Sequence, residues 1–265
     1  MVSIHIENPL AFSIGLLGNI LSFIVILTPL KTFYRVYKKK TTGSFQSAPY
    51  VMALSSAILW LYYAILTRNV LLLTINTSSC VLESAYLAVY VFYASKALKI
   101  FTAKMIMFFN VVLCGSVLLL TLAFLEGRRR VEITGYICAS FAVSVFIAPL
   151  SIIRLIIKTK SVEYMPFLLS LFLTLSAVAW FFYGLLLKDF FVALPNVLGF
   201  LFGVAQIILY FMYMNPKNDK SGQYVAATVV MATVGSDKDL EMAEKYFQGS
   251  EAVKPPVPEE VKVEV

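Results

Sequence analysis

Charged residues come in clusters along this chain, and the gaps between clusters set its architecture. None falls between Glu7 and Lys31, Lys40 and Arg68, Lys104 and Glu126, Glu132 and Arg154, Glu163 and Lys188, or Asp189 and Lys217. A further stretch, Asn69 to Ser95, is interrupted only by Glu83. A helix needs about 20 apolar residues to cross the hydrocarbon core, so the pattern predicts seven transmembrane helices. The chain is 60% hydrophobic and 14% charged, with mean hydropathy +0.82; soluble domains are about a quarter charged. No basic stretch precedes the first run, which is too long for a cleavable signal. Cys80, Cys114 and Cys138 fall inside spans and read as small apolar packing residues.

A net charge of +7 would suggest nucleic acid in a soluble protein. Here the basic residues lie in loops, where they set topology. Lys31, Arg35, Lys38, Lys39, Lys40, Lys96, Lys99, Lys104, Arg154, Lys158 and Lys160 fall on one side, against Arg68, Arg128, Arg129, Arg130 and Lys188 on the other. The bias predicts an extracellular N-terminus and a cytosolic C-terminus, with Arg128–Arg130 as a run against the trend.

Internal similarity reorganises the count of seven. Pro29 and Pro149 stand 120 residues apart, as do Ser56 and Ser176, Trp60 and Trp180, Tyr63 and Tyr183, and Asn76 and Asn196. Residues 55–63 read Ser-Ser-Ala-Ile-Leu-Trp-Leu-Tyr-Tyr against Leu-Ser-Ala-Val-Ala-Trp-Phe-Phe-Tyr at 175–183, and these strings hold both tryptophans of the chain. Each repeat covers three helices. Joined directly, an odd number of crossings would invert the second unit; the span near 105–125 restores its direction. The expected fold is therefore an all-α membrane protein of two parallel three-helix bundles joined by a linker helix. Its units are a first repeat over 1–95, the linker and its flanks over 96–130, and a second repeat over 131–213. The polar, Pro-containing tail, 214–265, is expected to be disordered.

The duplicated Ser-x3-Trp-x15-Asn pattern carries the chemistry. Serine and tryptophan at i, i+4 share a helical face, and the asparagine follows on the next helix. Two copies facing each other across a cavity offer amides that bracket hydroxyl pairs and indoles suited to apolar C–H faces. That chemistry fits a neutral, hydroxyl-bearing solute better than an ion. Burying such groups in lipid is costly, so they are expected to face the bundle interior. A tryptophan belt and asparagine glue between helices are the plainer alternatives, but neither accounts for matched duplication.

Pro29, Pro49, Pro149 and Pro166 each lie near one end of a span, where they act either as hinges or as punctuation. Glu83 is the sole carboxylate inside a span. It lies two turns beyond Asn76 on the same face, and residue 203, its counterpart, is glycine. Proton-coupled carriers use titratable pairs, so a lone Glu83 favours passive movement over proton coupling. No catalytic motif is present, and no enzyme activity, metal or cofactor is expected. A seven-helix receptor fits the helix count but has no use for a 120-residue parallel repeat.

Residues 43–50 (Gly-Ser-Phe-Gln-Ser-Ala-Pro-Tyr), 148–154 (Ala-Pro-Leu-Ser-Ile-Ile-Arg), 160–166 (Lys-Ser-Val-Glu-Tyr-Met-Pro) and 193–199 (Ala-Leu-Pro-Asn-Val-Leu-Gly) resemble the plant SWEET family of bidirectional sugar transporters, built from MtN3/saliva repeats. The resemblance covers about residues 7–213 and looks closest to the sucrose-moving branch. It implies passive, bidirectional sugar movement at the plasma membrane. It also implies a pocket of Ser56, Trp60, Asn76, Ser176, Trp180 and Asn196, hinge prolines at 29, 49, 149 and 166, and an outer closure by Tyr63 and Asp189. Ser22 fits the family's first-helix pattern, but its repeat counterpart is Ala142. With Val25 and Val145 also small, the pocket is expected to suit a disaccharide. The expected partners are sugar (sucrose or glucose), the lipid bilayer, and homo- or hetero-oligomers of related transporters through small-residue stretches such as 199–203; nucleic acid is not among them.

Overall fold

The computed structural model describes residues 8–43, 45–145, 147–160 and 167–213; the side chains of 145–149, 151 and 152 fall outside that description. The helices are α1 (Pro9–Leu27), α2 (Leu30–Lys39), α3 (Ala48–Thr67), α4 (Val70–Tyr93), α5 (Lys96–Ile106), α6 (Cys114–Phe124), α7 (Gly127–Val145), α8 (Ile147–Thr159), α9 (Phe167–Leu186) and α10 (Phe190–Tyr213). A π-helical stretch, Met107–Leu113, joins α5 to α6. No strand occurs among the described residues.

Six helical stretches are long and apolar enough to cross a membrane: Pro9–Lys39, α3, α4, Lys96–Phe124, α9 and α10. The seventh span is α7 with α8. Arg128, Arg129, Arg130 and Glu132 crowd the start of α7 and make it less apolar than the other spans, although they gather at one end, where an interface tolerates them. Two of these arginines have structural work. Arg130 folds back over the end of α6, its Nε donating to the carbonyls of Thr121 (3.2 Å) and Leu125 (2.8 Å). Arg128 pairs with Glu132 at 2.7 Å.

The 120-residue offset governs packing. In the first repeat α4 packs on α1, α2 and α3; in the second α10 packs on α7, α8 and α9. Between repeats, α1 lies against α9 and α7 against α3, the same contact related by the offset. The backbone carries the mark too. Among the described residues, those with positive φ other than glycine are Lys40 and Lys160 (φ 56° and 49°), and Arg68 and Lys188 (54° and 56°). These left-handed turns follow α2, α8, α3 and α9, where glycine is the usual choice and where a basic residue complements the helix dipole.

Pro29 lacks the N–H that would reach the Val25 carbonyl, so the first span breaks there. The Thr28 hydroxyl takes over that carbonyl at 2.7 Å, and the Tyr86 hydroxyl takes the Ile26 carbonyl at 3.0 Å. Pro49 instead sits in the first turn of α3, where a missing N–H breaks no helical bond. Pro166 and the side chain of Pro149 lie outside the described residues. Within a helix, Pro195 interrupts α10 one residue before Asn196.

The linker is fastened to α3 by polar contacts. Ser47 meets Thr102 (2.7 Å), Ser55 donates to Asn110 Oδ1 (2.8 Å), and Tyr62 meets Thr121 (2.9 Å). Asn110 lies in the π-helical stretch, and its Nδ2 is buried without a partner among the described residues. Cys80, Cys114 and Cys138 are free thiols, as packing residues should be.

Candidate functional site

Between the repeats lies a cavity of about 260 Å³ lined from α1 by Ser22, Val25 and Ile26, from α3 by Trp60, and from α4 by Leu72, Ile75, Asn76 and Ser79. Leu173, Ser176 and Trp180 of α9 and Val192 and Asn196 of α10 complete it. The paired tryptophans and asparagines therefore meet in one chamber. Each asparagine spends one N–H on the carbonyl four residues back, Asn76 on Leu72 and Asn196 on Val192, both at 2.8 Å. That anchoring fixes the amide and leaves its carbonyl and second N–H for a solute.

The serines are placed unequally. Ser176 lines the cavity and Ser56 does not. Ser22 explains part of the difference. It meets Ser176 at 2.8 Å and accepts from the indole N–H of Trp180 at 2.9 Å, tying α1 to α9. Val25 lines the chamber, while the side chain of its counterpart Val145 lies outside the described residues. Ser79, which the sequence pattern did not single out, also lines the chamber, and its counterpart at the offset, residue 199, is glycine.

At the side where α1 begins, polar bonds join the two repeats. The Tyr63 hydroxyl bridges both carboxylate oxygens of Asp189 at 3.0 Å. Asp189 also caps α10, accepting from the N–H groups of Phe191 (3.1 Å) and Val192 (3.3 Å). Burial pushes its carboxyl above the ordinary value, against the Tyr63 bond and the two N–H groups that pull it down. A second bond of this kind repeats the first at the offset. Tyr183 donates to Asn69 at 2.7 Å, and Asn69 caps α4 through the N–H of Leu72 at 3.1 Å. Asn69 was legible only as the offset partner of Asp189, a match that the change from Asn to Asp concealed.

Glu83 does not line the chamber. It is 7% exposed, its Oε2 has no partner among the described residues, and it lies within electrostatic reach of Tyr50 and Tyr86. No group of three or more His, Cys, Asp or Glu placed to hold a metal occurs among the described residues.

The family model described as "Sugar efflux transporter for intercellular exchange" matches twice, at residues 12–98 and 132–218, again 120 apart. The chain is 59% identical over 219 residues to the bidirectional sugar transporter SWEET12 of Oryza sativa subsp. japonica, covering 82% of this chain and 73% of that protein. It is 47% identical over 253 residues to the bidirectional sugar transporter NEC1 of Petunia hybrida, covering 91% and 95%. A solved eukaryotic SWEET transporter superposes with TM-score 0.71 at 34% identity, over 77% of this chain and 96% of that one. Repeat, fold and these likenesses agree: the chain belongs to the SWEET family of sugar efflux transporters.

Proposed function

We propose that this protein moves sugar passively and in both directions across the plasma membrane by alternating access. The observation that carries this reading is the duplicated set of groups in one neutral chamber between two parallel repeats. Trp60, Asn76, Ser176, Trp180, Asn196 and Ser22 form the substrate site, to which the family resemblance adds Val145 and Ser56. Tyr63 and Asp189 gate one end, and Pro29, Pro49, Pro149 and Pro166 serve as hinges at the other. The excess of basic loops places the N-terminus outside the cell and the tail inside.

Sucrose is the favoured substrate, with hexoses accepted, because small residues such as Val25 widen the chamber. The placement of Glu83 away from the chamber supports uniport. Its buried, unpartnered oxygen is the one feature that favours a proton-coupled carrier. Proteoliposome flux of radiolabelled sucrose and glucose, with and without a pH gradient, separates the two. Flux that persists unchanged without the gradient supports uniport; flux that collapses, and is uncoupled by Glu83→Gln, overturns it. Assembly into homo- or hetero-oligomers is read from the small-residue faces, and cross-linking in native membranes tests it.

A further inference from the structure

The segment beyond the break at Pro29 differs from the span it continues. α1 has 19 residues, and at 1.5 Å per residue it is about 28 Å long, close to the thickness of the hydrocarbon core. α2 adds 10 residues past that break, so it lies at the depth of the headgroups, which bring a bilayer to about 40–45 Å. The helix is two-faced. Phe33 and Val36 are buried, and α2 packs on α4, where Phe33 stacks on Tyr86 at 4.7 Å. Lys31, Tyr34, Arg35 and Lys38 stand at i, i+3, i+4 and i+7, so they share one stripe, and all four are exposed, as is Lys39 beside them. None of these cations pairs with a carboxylate among the described residues, where the ion pair is Arg128–Glu132. Lys40, at the end of the helix, is instead occupied within the bundle. It donates to the Tyr93 hydroxyl at 3.1 Å and lies 4.0 Å from the centre of the Tyr37 ring.

Topology alone does not account for this stripe, because the bias of basic loops is indifferent to which helical face carries the charge. At the 120-residue offset the four stripe positions read Ser151, Arg154, Leu155 and Lys158, and Lys39 becomes Thr159. The second repeat therefore meets the same requirement with two cations and no aromatic residue, where the first has four cations and Tyr34. We propose that the exposed face of α2 is a binding surface for anionic glycerophospholipids. Arg35 grips a headgroup phosphate with its planar fork. Lys31 and Lys38, about one turn to either side, favour a headgroup of net negative charge over a zwitterionic one. Tyr34, 67% exposed between them, lies at the interfacial level where tyrosine is favoured. The surface is outside the chamber and stands whether or not the carrier reading does.

Native mass spectrometry of the full chain in detergent micelles, titrated with phosphatidylglycerol or with phosphatidylcholine, measures how tightly each lipid is held. At about 0.1 M salt the unmodified protein is expected to hold phosphatidylglycerol at least about tenfold more tightly, each nearby cation contributing roughly fivefold. Raising the salt to about 1 M, which shortens the screening length from about 10 Å to about 3 Å, is expected to bring the two lipids within about twofold. Arg35→Gln/Lys38→Gln is expected to weaken phosphatidylglycerol binding at least about tenfold, and Arg154→Gln/Lys158→Gln, which takes as many charges from α8, by less than about threefold. Equal affinities for the two lipids in the unmodified protein overturn the proposal and leave the stripe to an acidic partner, the chain's own acidic tail included. Equal weakening by the two variants overturns it as well, since the charges would then act only in bulk. The salt series needs no substitution, so it decides the matter even where a variant fails to fold: a preference that survives about 1 M salt is not carried by these cations.

Discussion

The Tyr183 hydroxyl donates to Asn69 at 2.7 Å across the bundle, reproducing, 120 residues displaced, the bond that Tyr63 makes to Asp189. In each case a tyrosine near the end of the middle helix of one repeat holds the cap of the last helix of the other. On the gating role proposed above, these two bonds act as a pair of crossed latches, and each is also part of a helix terminus. On that reading, opening this end breaks both bonds.

Tyr183→Phe removes one latch without touching the Asn69 cap. A neutral hydrogen bond is worth about 1 kcal/mol net, a shift of about fivefold in the equilibrium between closed and open states. A cysteine reporter at Val192, in a Cys80→Ala background, reads this as faster labelling by a membrane-impermeant maleimide added at the α1-start side. Combining Tyr183→Phe with Tyr63→Phe is expected to accelerate labelling further. Rates indistinguishable from the parent would mean that the latches do not hold this end.

Asp189→Asn installs in the second repeat the residue that the first already uses. It is expected to keep both the Tyr63 contact and the cap, whereas Asp189→Ala loses both, with a cap alone worth about 1 kcal/mol. The pH dependence has a defined sign. Burial raises the native Asp189 carboxyl above its unfolded value, so its contribution is full below the unfolded value and is lost as pH rises through the native one. The thermal stability of the unmodified protein relative to Asp189→Asn is therefore expected to fall from acid towards neutral pH. A flat difference across that range would refute the assignment.

How much of this was legible in the sequence follows from the kind of signal involved. The arrangement of three, one and three helices was legible because charge gaps mark spans and the offset pairs Trp60 with Trp180 and Asn76 with Asn196. The seventh span was legible from the same gaps, although Arg128–Arg130 hides it from a simple apolar count. The Ser22–Trp180 bond was not legible. It joins residues 158 positions apart, and only the packing of α1 on α9 decides that Ser22 serves the second repeat's tryptophan. The unequal fates of Ser56 and Ser176 follow from that contact, which no local pattern encodes. The π-helical stretch at Asn110 likewise has no periodic signature in a uniformly apolar span.

Glycines at close approaches divide by what faces them. A Cβ at Gly184 would sit 2.7 Å from the backbone nitrogen of Ala193 and 2.9 Å from the Asp189 carbonyl, atoms that cannot step aside without moving α10. Gly184→Ala is expected to lower stability by about 1–3 kcal/mol, the usual cost of overpacking. At Gly115 a Cβ meets nothing within 4 Å, so Gly115→Ala is expected to be neutral or to stabilise α6 by up to about 1 kcal/mol. Thermal denaturation in detergent compares the two directly, and equal effects would contradict the packing of α9 on α10.

The polar contacts of the linker bear on which parts move. Ser47–Thr102, Ser55–Asn110 and Tyr62–Thr121 run along α3, while the linker makes much less contact with α7. If the repeats rock against each other, the linker should travel with the first. Ser47 and Thr102 are short side chains whose oxygens touch at 2.7 Å, so cysteines at both positions lie within bridging reach. Oxidising the Ser47→Cys/Thr102→Cys pair is expected to leave sucrose flux in proteoliposomes within about twofold of the reduced protein, since it joins parts that already move together. A flux that stops on oxidation and returns with reductant would show instead that the linker slides along α3 during each cycle.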